Sequence, residues 1–528
     1  MAASNDSADG NIVDTIKAGY NFTGPSLELG SLLVDGNPVP EAQIRIPLSM
    51  LNRHGLVAGA TGTGKTKTLQ LIAEQLSANG VPVFMADIKG DLSGVSRPGE
   101  PSDKLTARTQ SIGQNWQATG YPVEFLALGG QGTGVPVRAT VTAFGPTLLA
   151  KVLDLNETQT SSLALVFHFA DKAGLALLDL KDLRAVIQFL VSDDGKESLA
   201  GLGGLSKATA GVILRELIAF ADAGAEHFFG EPEFATSDLL RMAEDGRGII
   251  TCLELPAVQD KPALFSTFLL WMLADLFSEL PEAGDLDKPK LVFFFDEAHL
   301  LFKDASKAFL DQITTTIRLI RSKGVGVFFV TQTPKDVNAD VLAQLGNRVQ
   351  HALRAYTPDD AKALKATVST FPHSDYDLEE LLTQLGIGEG VVTVLSDRGA
   401  PTPVAWTRMR APQSLMAPAP QEVLDATLQA SPLLPKYGQE LDRESAYEKL
   451  SARLAPAPTA ESVQKTVEEP AAPAPKKEAP ARARAAKEEP TMVEQVIKSS
   501  AVKSFLRSAG TVLGREITRS IFGTAKRR

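Results

Sequence analysis

The string GATGTGKT, Gly59 to Thr66, constrains this chain more than any other feature. It follows a short apolar run, about His54 to Ala58. It precedes a stretch, Thr66 to Asn79, in which Leu69, Ile72, Ala73 and Leu76 recur at helical spacing. The pattern G-x-x-x-x-G-K-[ST] between a strand and a helix predicts a phosphate-binding loop. Gly59, Gly62 and Gly64 let backbone N–H groups turn inward around phosphate oxygens, with Ala60, Thr61 and Thr63 completing the cradle. Lys65 is placed to reach the β- and γ-phosphates, and the Thr66 hydroxyl to coordinate Mg²⁺. The helix behind the loop adds its N-terminal dipole to anion binding. ATP and Mg²⁺ are the expected cofactors, and a glycine-rich turn without nucleotide is the alternative.

The strand VPVFMAD (81–87) follows and ends in the turn IKGDLSG. Strand, loop, helix and strand at this spacing open an α/β unit with a mainly parallel sheet. The texture divides the chain further. Residues 1–50 form a short β-rich lead-in, and 51–145 the first part of the core. Leu/Ala-rich periodicity over 146–245 predicts an all-helical insertion. Strand signals resume at GIITCLEL, KLVFFFDEAH, VGVFFVTQ and RVQHALRA, so 246–412 form the second part of the core. A helical extension (413–454) leads to an Ala/Pro-rich, disordered linker (455–490) and a basic amphipathic segment (491–528).

Composition narrows the function classes. A net charge of −10 argues against wholesale coating of nucleic acid, while leaving a local basic groove open. The one cysteine, Cys252 in an apolar run, rules out an internal disulfide framework and a cysteine-based zinc site. The polar start MAASNDSADGN lacks the features of a secretory signal. The run Leu264 to Phe277 falls short of the roughly 20 apolar residues of a membrane span and contains Asp275, so it reads as a core helix. A cytoplasmic protein is expected.

Two further motifs carry chemistry. In LVFFFDEAH, Leu291 to His299, a buried strand ends in two acids at the edge where open α/β sheets bind ligands. Asp296 can hold the Mg²⁺ hydration shell and Glu297 can orient and deprotonate water; a solvated turn is the alternative. His299 is either structural or couples the site to its surroundings. In RLIRSKGVGVFFVTQTP, Gln332 ends another buried strand, where its amide can sense the γ-phosphate or the attacking water. Arg318 and Arg321 lie at a helix end, where capping of the dipole competes with a functional role.

GATGTGKT, DEAH and the RSKGVGVFFVTQTP segment together resemble the HerA/FtsK-type P-loop ATPases. DIKGDLSG, LDLNETQ, DLKDL, FFGEP and RSIFG resemble, more narrowly, the HerA-like bacterial ATPases of the YjgR type. The resemblance implies a RecA-like core, ATP hydrolysis and a homo-oligomer, a hexameric ring. It implies that Lys65 and Thr66 are the Walker A pair, Asp296 and Glu297 the Walker B pair and Gln332 the polar sensor. Arg321 matches the arginine inserted into a neighbour's site, with Arg318 behind it. Asp87 matches an acid near the nucleotide, a turn cap being the alternative.

The chain departs from that pattern in three places. Thr333, not Arg, follows Gln332; only about 50 residues precede the core; and no winged-helix segment follows it. Two functions therefore stand side by side: a motor that translocates or remodels DNA, and an ATP-driven switch or scaffold acting on a protein partner. A small-molecule kinase fits the acid pair and candidate trans arginine less well. AYTPDD, Ala355 to Asp360, reads as a helix start capped by Thr357. Arg348 and Arg354 are expected in strand-edge salt bridges, with γ-phosphate contact as the alternative. The tail 491–528 carries eight Lys/Arg against two Glu. It reads as a helix on its own core, a partner or nucleic-acid contact, or a peripheral membrane contact.

Overall fold

The computed structural model describes residues 6–199, 203–302 and 307–454. The linker 455–490 and the basic segment 491–528 lie outside the described residues.

Twelve strands form one sheet. They are β1 (Ser26–Val34), β2 (Asn37–Pro47), β3 (Gly55–Ala58), β4 (Val83–Asp87), β5 (Val123–Leu128) and β6 (Val135–Val137). After the helical segment come β7 (Ile250–Glu254), β8 (Leu291–Phe295), β9 (Val325–Thr331), β10 (Asn347–Gln350), β11 (Glu389–Thr393) and β12 (Ala405–Met409). Their order is β2-β1-β12-β11-β10-β3-β9-β8-β4-β7-β5-β6. From β10 to β6 every neighbouring pair is parallel. From β10 outward through β11, β12, β1 and β2 every pair is antiparallel. The sheet is therefore mostly parallel, with an antiparallel wing in which the first strand of the chain pairs with the last and the second forms the edge.

The apolar runs decide which strands sit at the centre. β4, β8 and β9 are buried along their whole length, as strands covered on both faces must be. Alternation then sorts the aromatic rings of β8. Phe294 packs on Phe328 on the face that also receives Leu69, Ile72, Ala73 and Leu76 of the helix Lys65–Ala78. Phe293 and Phe295 point the other way, against Phe84 and Phe329. Burying each ring contributes about 1.5–3 kcal/mol, and the rings hold β8 and β9 level where their C-terminal ends meet the site. The apolar run from Leu264 lies in the buried helix Pro262–Glu279. No helix among the described residues is long and apolar enough to cross a membrane.

The chain divides into two compact units. Of the described residues, those to Leu155 and within Ala219–Leu441 form the sheet unit. Those within Asn156–Ile218 and from Asp442 to Leu454 form the helical unit. It is narrower in the middle of the chain than the 146–245 read from texture, because the helix Val141–Val152 and the turns Ala225–Phe228 and Thr236–Leu240 belong to the sheet unit. In the helical unit, capping boxes begin the helices Glu157–Lys172 and Leu180–Val191. The buried Asp182 carboxylate accepts from the Ser445 hydroxyl and, at 2.8 Å, from Tyr447 N, tying the last described helix, Ala446–Leu454, to it.

The lead-in holds a helix, Asp6–Gly19, before its two strands. The polar opening residues conceal it, yet Ile16 and Tyr20 are buried in the core.

Candidate nucleotide site

The P-loop leaves β3 at the C-terminal edge of the parallel sheet and enters the helix Lys65–Ala78. Two of its glycines are required by contact. At Gly59 (φ 154°) a Cβ would lie 2.5 Å from the His351 Cβ, and at Gly64 (φ 117°) it would lie 3.3 Å from the Gly388 Cα. No side chain caps the helix that follows, so its first N–H groups remain available to an anion. Lys65 is nearly buried and its Nζ donates to Ala60 O at 3.2 Å, within its own loop. Burial lowers its pKa, while the charges of Glu297 and Asp296 oppose that shift.

The loop is braced from behind by the antiparallel wing. His351 is fully buried: its Nε2 is 2.9 Å from the Thr68 hydroxyl and its Nδ1 is 2.8 Å from Glu389 O. With the proton on Nδ1, the ring accepts from Thr68 and donates to the carbonyl. Burial pushes its pKa down to about 4, and the charges of Lys65 and Arg108 add to that. Gly388 N donates to Thr63 O at 2.9 Å, and Arg108 Nη2 donates to Gly388 O at 2.7 Å.

Asp296 and Glu297 follow β8, two places from β3 in the sheet order. At about 4.8 Å per strand, the acids stand roughly 10 Å across from the loop, room enough for phosphate groups between them. Asp296 is buried. Its Oδ1 accepts from Glu297 N at 2.9 Å, while its Oδ2 has no partner among the described residues. Burial, reinforced by the Glu297 charge, pushes its pKa up to about 7. A buried carboxylate oxygen without a donor is costly unless a cation satisfies it, and this residue fits one. Glu297 adopts a left-handed conformation (φ 46°) and pairs with Lys89 through Oε1; its Oε2 is 3.2 Å from His299 Nδ1, without hydrogen-bond geometry.

Gln332 directly follows β9 and is exposed, making no hydrogen bond among the described residues. Since Thr331 O accepts from Gly59 N at 3.2 Å, Gln332 stands level with the start of the P-loop. Arg321 is placed quite differently. It opens the turn Arg321–Lys323, before the seven-residue β9, and is exposed. About 23 Å of extended strand separates it from the phosphate edge, so it cannot serve its own site. Arg318, also exposed, lies in the last turn of the preceding helix, Lys307–Ile320.

Asp87 caps a turn: its carboxylate accepts from the backbone N–H groups of Gly90, Asp91 and Leu92. Thr357 caps the helix Pro358–Val368, as its spacing predicts. The two arginines expected in strand-edge salt bridges are not there. Arg348 donates to the carbonyls of Thr370, Leu345 and Leu342, because its strand end faces backbone and not acids. Arg354 lies over the P-loop with Nη2 3.4 Å from Thr61 O. Sequence reasoning missed Lys89, His351 and Arg108. Lys89 lies inside the quoted IKGDLSG turn, but only the fold brings that turn beside Glu297. Cys252 is buried on β7, and burial raises its thiol pKa.

Fold and site together define a P-loop nucleotide-binding protein with a RecA-like α/β core. The family model described as Helicase HerA-like C-terminal matches residues 33–528, and the chain belongs to that family. A probable helicase, MJECL08 of Methanocaldococcus jannaschii, is 31% identical over 153 residues, 27% of this chain and 28% of the relative. The DNA double-strand break repair helicase HerA of Sulfolobus acidocaldarius is 21% identical over 70% of this chain and 67% of its own length. Among solved structures, the plasmid coupling protein TrwB with a non-hydrolysable ATP analogue superposes with a TM-score of 0.49 and 18% identity. That match covers 77% of this chain and 95% of TrwB.

Proposed function

We propose that this protein hydrolyses ATP and couples the hydrolysis to translocation or remodelling of DNA, as a ring of identical subunits in the cytoplasm. The observation that carries the reading is the placement of Asp296 and Glu297 across from the P-loop, close enough for their charges to act on Lys65. A protein that only bound nucleotide would have no use for a second acid there. Family membership supports DNA over a protein partner as the substrate.

In this mechanism the P-loop amides and Lys65 hold the β- and γ-phosphates. Mg²⁺, held by Thr66 and Asp296, supplies neutralisation of phosphate charge when bound. A water aligned by Gln332 and Glu297 attacks the γ-phosphorus in line. The new P–O bond forms as the bond to the β–γ bridging oxygen breaks. ADP leaves with the electron pair, and the water proton passes to the Glu297 carboxylate. Arg321 acts in trans: exposed at the opposite sheet edge, it is available to a neighbour and excluded from its own loop.

The test is ATP turnover by the purified protein across a concentration series, with and without double-stranded DNA, using Glu297→Gln as the blank. Turnover that rises with assembly and is stimulated by DNA supports the motor. Turnover indifferent to DNA refutes the DNA coupling, and no turnover in any assembled form refutes the hydrolase.

A further inference from the structure

Lys89 occupies a place the mechanism above leaves unused. It follows β4, which neighbours β8, and the register Ala86 to Phe295 brings the two strand ends level. The turn that carries it is fixed by Asp87, whose carboxylate gathers three backbone N–H groups. Lys89 is therefore aimed across the strand ends, and its ammonium pairs with Oε1 of Glu297. The lysine side chain is 48% exposed and the glutamate 8%, so the ammonium covers the base from the solvent side. The other carboxylate oxygen is buried without a hydrogen bond among the described residues. Oε1 is thus engaged by the ammonium, and Oε2 is withdrawn from solvent.

A carboxylate that must accept a water proton cannot keep an ammonium on the oxygen that does so. The same charges act on both lysines: Glu297 and Asp296 stabilise the charged form of Lys89 as well as that of Lys65. A phosphate group lodged between loop and acids brings more negative charge than a carboxylate and offers several acceptor oxygens to a mobile ammonium.

Resting on the hydrolase reading, we propose that Lys89 is a positioning residue that senses the γ-phosphate. It holds Glu297 while the γ position is empty and moves to a γ-phosphate oxygen when ATP fills it, freeing Glu297 for water. Hydrolysis is thereby licensed by the third phosphate, and ADP, lacking it, leaves the base covered. Glu297 makes this contact from a left-handed backbone (φ 46°), a conformation that non-glycine residues seldom adopt.

The test uses full-length protein with Mg²⁺ and compares Lys89→Met, Lys89→Arg and Glu297→Gln with wild type. Affinities are measured for fluorescent ADP and for the slowly hydrolysed ATPγS, alongside ATP turnover. Lys89→Met should hold ADP affinity within about twofold while ATPγS affinity and kcat each fall about tenfold or more, and Lys89→Arg should recover most of both. Glu297→Gln, which leaves Lys89 facing a neutral amide, should raise the preference for ATPγS over ADP about fivefold. That variant decides the matter if Lys89→Met does not fold. Equal losses for ADP and ATPγS in Lys89→Met, or an unchanged preference in Glu297→Gln, overturn the role of Lys89 while wild-type turnover keeps the hydrolase standing. A wild type that binds both nucleotides but does not turn over ATP refutes the hydrolase instead, and the affinities still decide whether Lys89 reads the γ-phosphate.

Discussion

Protonation of His351 is the perturbation whose cost is most directly worked from the structure. Two contacts hold the ring in place, the Thr68 hydroxyl at Nε2 and Glu389 O at Nδ1. Burial above all lowers its pKa from 6.5 to about 4; the Glu389 carbonyl opposes that shift, and the charges of Lys65 and Arg108 add to it. Between pH 6.5 and about 4 the unfolded chain therefore binds a proton that the folded chain refuses. The stability at stake is fully present above pH 6.5 and is lost as pH falls through that window. The cost is about 0.2 kcal/mol at pH 7 and about 2 kcal/mol at pH 5.

Glutamine at this position does not titrate and keeps one donor and one acceptor. Urea unfolding of wild type and His351→Gln at pH 7 and pH 5 isolates the imidazole. His54, also lowered to about 4 by burial, and the buried acids titrate in both proteins and cancel. The wild type should lose about 2 kcal/mol more than the variant on going from pH 7 to pH 5. Equal losses in the two proteins would refute the argument that His351 stays neutral behind the P-loop.

Three other outcomes are expected. Gly59→Ala places a Cβ 2.5 Å from that of His351 at φ 154°. An overpacking cost of about 1–3 kcal/mol should weaken ADP binding by roughly five- to a hundredfold in a fluorescence titration. Arg321→Ala should cut ATP turnover by about a thousandfold, and mixing it with Glu297→Gln should restore part of that activity, because a site is intact wherever an Arg321→Ala subunit receives the arginine of a Glu297→Gln neighbour; no recovery on mixing counts against action in trans. Phe294→Ala empties a position with no exposed surface between β9 and the P-loop helix. It should destabilise the protein by about 3–5 kcal/mol in chemical denaturation.

What was legible in the sequence was local or fully buried. The P-loop is a contiguous string whose glycines, lysine and threonine carry their roles by spacing, and β8 announces itself through five apolar residues followed by two acids. The antiparallel wing was hidden for the opposite reason. β11 and β12 are five residues each, and β12 alternates buried with half-buried positions that include Trp406 and Arg408, so no long apolar run marks it. Neither the DIKGDLSG string that holds Lys89 nor the RVQHALRA run that holds His351 assigns these side chains a role; that comes from strand order, which puts β4 beside β8 and β10 beside β3. The arginines failed for a similar reason. A guanidinium near a strand end satisfies itself with whatever acceptors the fold supplies, and for Arg348 those were carbonyls.

The place of β3 in the sheet has a consequence for synthesis. Its two neighbours, β9 and β10, begin at Val325 and Asn347, and the brace on Thr63 comes from Gly388. A ribosome must release more than three hundred further residues after GATGTGKT before the loop has its brace, and more than two hundred and fifty before β3 has a neighbour. Until then β3 is an apolar strand without partners, the kind of segment that slow, long-range pairing leaves open to capture by chaperones or by other chains. Nucleotide binding would then be among the last properties the nascent protein acquires. ATP bound there would report that the polypeptide is finished at least as far as the wing.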